Sequence, residues 1–187
     1  KNPEYAKPKP MIDIAGHMMI EWAVSSLPRK ANDKLIFLVL KEHVDKAQID
    51  EVLKRTFGGN IKVIIVDEIT QGPACTVLLA KEYINNDEPL LIANSDNYID
   101  GKMIYKDIED MKGEIDGLLS VFYANGPKWS FSRTDNEGYV TEVAEKIQIS
   151  VQSDRRPIFL GYRAYLYVSA WPFAFVCGSL SRFGKCD

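Results

Sequence analysis

The sequence predicts an α/β protein whose mostly parallel sheet is covered by helices on both faces. Two apolar runs extend from Leu35 to Leu40 and from Ile61 to Val66, and the two runs together contain a single charged residue. Such runs are typical of parallel strands that are buried on both sides. Helical patterns alternate with these runs, and strand–helix–strand order favours parallel pairing with right-handed crossovers. We therefore predict a three-layer α/β/α fold.

Helices are predicted on either side of the first of these strands. Met18 to Leu27 has apolar residues at helical spacing, and Pro28 ends this helix. Val44 to Phe57 forms the second predicted helix, and Gly58 follows it, as glycine often does at the end of a helix. Before both helices, the segment Pro8-Lys9-Pro10 is predicted to be extended, because proline disfavours helix at the residue before it.

The stretch from Pro73 to Gly101 carries the most informative pattern in the chain. A helix is predicted from Cys75 to Ile84, and a short buried strand from Leu90 to Ala93. That strand ends abruptly in Asn94-Ser95-Asp96. Open α/β sheets place ligands and metals beyond the carboxyl ends of their strands. The sequence therefore predicts a ligand-binding crevice at this edge of the sheet.

The pattern changes after Gly117, where helical spacing gives way to short strands. Strands are predicted over residues 118–124, 129–133 and 139–144, and the polar turn from Asp135 to Gly138 joins the last two. We expect these two strands to form a β-hairpin inserted beside the main sheet.

The composition is that of an ordinary globular protein and excludes several function classes. The chain has 187 residues and a formal net charge of -3, which gives no electrostatic case for nucleic acid or an anionic membrane. No apolar run approaches the roughly 20 residues that span a bilayer. The three cysteines show no metal-binding spacing, and Cys75 is predicted to be a small buried thiol. A cytoplasmic location is the simplest expectation.

The candidate site residues each have a plain structural alternative. Asp96 could bind a metal ion, or it could cap a turn, as Asp often does after a strand. Lys9 could bind an anion, or it could be an ordinary solvated lysine on an extended segment. Glu145 and Lys146 follow a predicted strand, and an exposed charged pair is the common role at such a position. Residue types alone do not choose a reaction.

Four blocks of the sequence, in this order and spacing, resemble the sugar-phosphate nucleotidyltransferases, also called nucleoside-diphosphate-sugar pyrophosphorylases. The blocks are PKPMIDIAGHMMIEWAV (8–24), TQGPACTVLLAKEYI (70–84), PLLIANSDNYID (89–100) and PKWSFSRTDNEGYVTEVAEK (127–146). The resemblance implies the fold of nucleotide-diphospho-sugar transferases, a Rossmann-like three-layer sheet with an inserted hairpin. It covers about residues 5 to 150.

The resemblance also implies roles for single residues. Lys9 corresponds to the lysine that contacts phosphate, and Asp96 to the ligand of a catalytic Mg²⁺. Gln71 and Gly72 would belong to the loop that holds the nucleotide base. Asn94 is a further predicted substrate-binding residue. Glu145 and Lys146 would hold the sugar hydroxyls and the sugar phosphate.

The implied reaction joins a nucleoside triphosphate to a sugar 1-phosphate, or to a phosphocholine-like phosphate, and releases pyrophosphate. Two alternatives stay open. One is a catalytically inactive domain that binds nucleotide or sugar phosphate. The other is a related glycosyltransferase, which would need an Asp-x-Asp motif that Asp96-Asn97-Tyr98 does not supply.

The ends of the chain depart from the family pattern. Members begin with a strand and a loop of the form G-x-G-S-R-F, which in this chain has no counterpart before Lys1. A similar apolar strand and Gly178-x-x-Ser181-Arg182-Phe183 stand near the C-terminus instead. We expect a fragment or a rearranged chain with a nucleotidyltransferase-like domain at 1–150. The segment 151–187 is then either a permuted beginning, in which Arg182 meets the triphosphate beside Lys9, or an unrelated tail.

Overall fold

The computed structural model describes residues 7–30, 32–86, 88–110, 117–121, 129–145, 147–149, 158–160 and 174–177. These residues form two compact units, one within Lys1–Gly101 and Ala170–Asp187, the other within Lys102–Ser169. The proposed boundary near residue 150 is a different kind of division, based on family resemblance, and it stays a prediction.

Helices and strands are mixed along the chain, which confirms the α/β class. The first half contains a 3-10 helix (Lys9–Met11), β1 (Asp13–Ile14), β2 (His17–Met18), α1 (Met19–Ser25), β3 (Leu35–Leu40), α2 (Lys41–Ala47), α3 (Ile49–Phe57), β4 (Ile61–Val66), α4 (Pro73–Leu78) and α5 (Lys81–Ile84). It is followed by β5 (Leu91–Asn94), α6 (Gly101–Asp110), β6 (Gly117–Leu119), β7 (Ser130–Thr134), β8 (Val140–Glu145), β9 (Ile158–Leu160) and β10 (Ala174–Cys177).

A four-stranded sheet in the order β4-β3-β10-β5 is the centre of the first unit. β3 and β4 pair in parallel from Leu35 opposite Ile61 to Leu40 opposite Val66. β10 runs antiparallel to both β3 and β5, so β5 points in the same direction as β3 and β4. The carboxyl ends of these three strands therefore meet at one edge of the sheet, where the sequence predicts the crevice.

The direction of β10 bears on the alternative that the segment 151–187 is a permuted beginning. If residues 173–177 were the permuted first strand, we would expect them as a central parallel strand beside β3. β10 is central and does lie beside β3, but Phe175 pairs with Phe37 and Val176 with Ile36 in antiparallel register. An inserted strand can satisfy the backbone groups on both of its edges in either direction. Its direction therefore contradicts the expected parallel arrangement.

The main core lies on the face of the sheet that α1 and α3 cover. Odd-numbered residues of β3 pack there with apolar side chains of the two helices, because successive side chains of a strand point to opposite faces. The buried members of this cluster are Ile20, Val24, Leu27, Leu35, Phe37, Val39, Ile49, Leu53 and Ala93. Full burial of one such side chain stabilises the fold by about 1.5–3 kcal/mol. This core fixes the strands that lead to the crevice.

Several local predictions need correction. The predicted helix 44–57 is two helices, because Gln48 adopts a left-handed conformation with φ of 49° and its N–H closes α2 on the carbonyl of Val44. The predicted helix 75–84 is likewise divided into α4 and α5. Lys9 and Pro10 lie in a 3-10 turn rather than in extended backbone, since the fixed φ of proline also suits such a turn. Cys75 is disulfide-bonded and not a free thiol, so it gives no support to a reducing location.

The second unit contains the predicted hairpin. β7 and β8 pair antiparallel, with an irregularity between Arg133 and Thr134. The carboxylate of Asp135 shapes the turn by accepting hydrogen bonds from the N–H groups of Glu137 (3.0 Å) and Tyr139 (2.9 Å). β6 pairs antiparallel with β9, a strand that the sequence did not indicate.

Candidate functional site

Asp96 lies just beyond the carboxyl end of β5, at the edge where β3 and β4 also end. Asn94, the last residue of that strand, and Ser95 are each only 5% exposed. Asp96 itself is half-buried in the turn that follows. A strand with a buried end therefore holds this carboxylate in a fixed place, as the sequence predicts.

The structure brings Lys9 close to Asp96, although the two are far apart in sequence. Burial raises the pKa of the Asp96 carboxyl above its ordinary value. The positive charge of Lys9 is close enough to oppose that rise in pKa, and so does a backbone hydrogen bond at Asp96. Lys9 is exposed while the neighbouring Pro10 is buried, so the proline anchors the segment and leaves the ammonium available to a ligand.

Helix α1 holds the segment that carries Lys9. The N–H of Met19 donates to the carbonyl of Ile12 at 2.9 Å, which joins the start of α1 to the residues after the 3-10 helix. The indole Nε1–H of Trp22 donates to the carbonyl of Ile14 at 2.8 Å. These bonds tie the segment to a helix that packs in the main core.

Two buried polar atoms at the end of β5 have no hydrogen-bond partner in the described part of the chain. They are Nδ2 of Asn94 and Oδ1 of Asp96. A buried polar atom without a partner costs free energy, and in most proteins such atoms are satisfied. A carboxylate oxygen of this kind fits a hard cation such as Mg²⁺, which often takes only one or two protein carboxylates and completes its shell with water and phosphate. Among the described residues, no group of three or more Asp, Glu, His or Cys could hold a metal on its own.

The loop before α4 lies at the same sheet edge, beyond β4. Thr70 and Thr76 share a hydrogen bond at 2.6 Å between their hydroxyls, and the carbonyl of Gly72 accepts a hydrogen bond from the Thr70 hydroxyl at 2.9 Å. Gln71 is exposed at the tip of this loop and Gly72 is partly buried. A small cleft opens beside the loop, lined by Leu38, Leu40, Val66, Glu68, Ile69, Thr70 and Thr76.

The described structure does not test the placement of the remaining predicted residues. Glu145 ends β8, in the second unit, and only its backbone is described. Lys146 and Arg182 lie outside the described residues. Their predicted roles toward the sugar phosphate and the triphosphate stay predictions.

Comparison with known proteins found a likeness among solved structures. No protein-family model matches the chain, and no curated protein matches it. Among solved structures, it is similar to the nucleoside-diphosphate-sugar pyrophosphorylase from Vibrio cholerae RC9, with a TM-score of 0.60 and 21% identity. The likeness shows a shared fold. It covers 79% of this chain and 62% of the pyrophosphorylase, so the chain spans less than two thirds of that protein's length.

The described part of the chain contains no helix that is both long and apolar enough to cross a membrane.

Proposed function

We propose that this chain is a Mg²⁺-dependent nucleotidyltransferase. It would join a nucleoside triphosphate to a sugar 1-phosphate, or to a phosphocholine-like phosphate, and release pyrophosphate. The observation that carries the proposal is the half-buried Asp96 beside Lys9 at the carboxyl edge of the sheet, with one inner oxygen that finds no hydrogen-bond partner among the described residues. The likeness in fold to a pyrophosphorylase supports it. As part of the same proposal, the complete fold would have the three-layer α/β/α sheet of that family.

The chemistry needs positioning and charge neutralisation more than covalent help from the protein. An oxygen of the sugar phosphate attacks the α-phosphorus, a new P–O bond forms, and the bond to the β-phosphate breaks so that pyrophosphate leaves. Asp96 would hold Mg²⁺, which supplies positive charge to the phosphates when bound. The ammonium of Lys9 would stabilise negative charge on the phosphate oxygens from the neighbouring segment.

The other predicted residues complete the proposed site. Gln71 and Gly72 would hold the base beside the cleft before α4. Glu145 and Lys146 would bind the sugar and its phosphate. A contact of Arg182 with the triphosphate belongs to the permuted-beginning alternative, with which the antiparallel direction of β10 disagrees. These assignments follow the family resemblance and are proposals for mutagenesis.

A substrate panel tests this function. Pyrophosphate release is measured with Mg²⁺ for each of the four common nucleoside triphosphates against sugar 1-phosphates and phosphocholine. We expect release with one pair, which names both substrates. Nucleotide binding without release would instead support the inactive binding domain. Transfer from a nucleotide-sugar without pyrophosphate would support the glycosyltransferase.

A further inference from the structure

The segment that follows Asp96 is attached to the C-terminal end of α1 by three contacts. The N–H of Ile99 donates to the hydroxyl of Ser26 at 3.2 Å, a bond between residues 73 positions apart. The ring of Tyr98 meets the indole of Trp22 edge-on, with centroids 6.3 Å apart. The third contact is the close approach of Gly101 to the same helix end.

Gly101 shows how tight this attachment is. A Cβ at position 101 would lie 2.1 Å from the carbonyl oxygen of Ser26 and 2.7 Å from the carbonyl carbon of Leu27. These are backbone atoms and cannot give way as a flexible side chain would. The backbone after Asp96 therefore rests directly on the end of α1, and only glycine fits at that position.

Ser26 is placed to link the helix to this segment. It is 8% exposed, and its hydroxyl donates to the carbonyl of Ala23 at 2.8 Å while it accepts from Ile99. The donated bond fixes the direction of the hydroxyl lone pairs, so the acceptor site for Ile99 is held in place. No other residue type keeps both bonds at this size except threonine, which adds a methyl group.

The same helix also holds the segment that carries Lys9, through the bonds from Met19 to Ile12 and from Trp22 to Ile14. One rigid element thus joins the two charged residues of the candidate site. Resting on the proposed function, we infer that Ser26 is a positioning residue, which sets the place of the Asp96 carboxylate relative to Lys9 through its bond to Ile99.

The test compares Ser26→Ala with Ser25→Ala in the full chain. Ser25 is a matched control, because its hydroxyl also donates to a carbonyl one turn back, that of Trp22 at 2.9 Å, but its side chain is exposed where Ser26 is buried. Two quantities are measured: hydrogen exchange of the amides of residues 97–101, and affinity for Mn²⁺ in the presence of inorganic pyrophosphate by electron paramagnetic resonance.

We expect Ser26→Ala to speed exchange in this segment and to weaken Mn²⁺ binding about tenfold, as outer-shell changes typically do. Ser25→Ala should leave both quantities as in wild type. In an Asp96→Asn background, Ser26→Ala should cause no further loss of Mn²⁺ affinity, because its effect passes through the carboxylate.

The other outcomes separate the two claims. Unchanged exchange, or faster exchange with unchanged Mn²⁺ affinity, overturns the positioning role while the proposed function stands. Equal losses in the Ser25 and Ser26 variants overturn it as well, since they would reflect a general loss of helix stability. Wild-type protein that binds no Mn²⁺ with pyrophosphate contradicts the proposed function first, and the positioning role with it.

Discussion

Burial disfavours the ionised form of the Asp96 carboxyl group, which is the form that binds a metal ion. The surrounding strand end raises the pKa of this group, and the charge of Lys9 offsets only part of the rise. Such opposing effects are common at functional sites, where protein stability is given up for a group that a ligand will satisfy. In the absence of ligand, this half-buried carboxyl group lowers the stability of the folded protein.

A stability prediction follows for Asp96→Asn in metal-free buffer. Because the pKa of Asp96 is higher in the folded than in the unfolded chain, its contribution to stability is present below about pH 4 and is lost as the pH rises through the folded value. The variant should therefore gain free energy of unfolding relative to wild type as the pH increases. At pH 7 we expect a gain of a few tenths of a kcal/mol, because solvent screens a half-buried group and substitutions outside tightly packed cores usually change stability by no more than about 0.5 kcal/mol.

Urea denaturation at several pH values checks this prediction. Glu82→Gln is the control, because it removes the same charge from an exposed position on α5. A loss of stability in Asp96→Asn at neutral pH would show that the carboxylate is well satisfied in the ligand-free protein, against our account of the unpaired oxygen.

At the scale of elements, a strongly apolar strand was easy to predict and a helix break was not. The bounds of β3 and β4 match the two apolar runs, because consecutive apolar residues leave a local pattern in the sequence. Burial on both faces is confirmed for β3 but is wrong for β4, an edge strand that is mostly only partly buried and whose Ile65 is 50% exposed. The break at Gln48 leaves no such pattern, since neither glycine nor proline marks it. A left-handed non-glycine residue costs about 1–2 kcal/mol, which the packing of α2 and α3 has to offset.

Gln48→Gly should therefore stabilise the protein by about 0.5–1 kcal/mol. Glycine adopts the left-handed conformation without strain, and its greater freedom in the unfolded chain cancels part of that gain. Chemical denaturation measures the change. Gln48→Ala serves as the comparison, because it shortens the side chain but keeps the strain, and it should give no gain. A stability loss on introducing glycine would mean that Gln48 is not strained.

At the scale of the whole molecule, the sequence could predict the class of fold and the place of Asp96, because both depend on strand order and strand ends. It could not predict the direction of β10, since an alternating or apolar strand pattern is the same in either direction along the chain. The sequence also did not indicate that helix α1 holds both the segment that carries Lys9 and the segment that carries Asp96. That proximity depends on Ser26 and Trp22, whose contacts join segments that are distant in sequence.

The proposed function is nucleotidyl transfer at a metal site built on Asp96. The most direct measurement is pyrophosphate release, followed side by side for wild type, wild type with EDTA, and Asp96→Asn, using the active pair from the substrate panel. We predict release by wild type, loss with EDTA that Mg²⁺ restores, and a rate for Asp96→Asn lower by at least about 100-fold, the effect of losing a major electrostatic contribution. Full activity of Asp96→Asn, or no release by folded wild-type protein across the whole panel, would contradict the account.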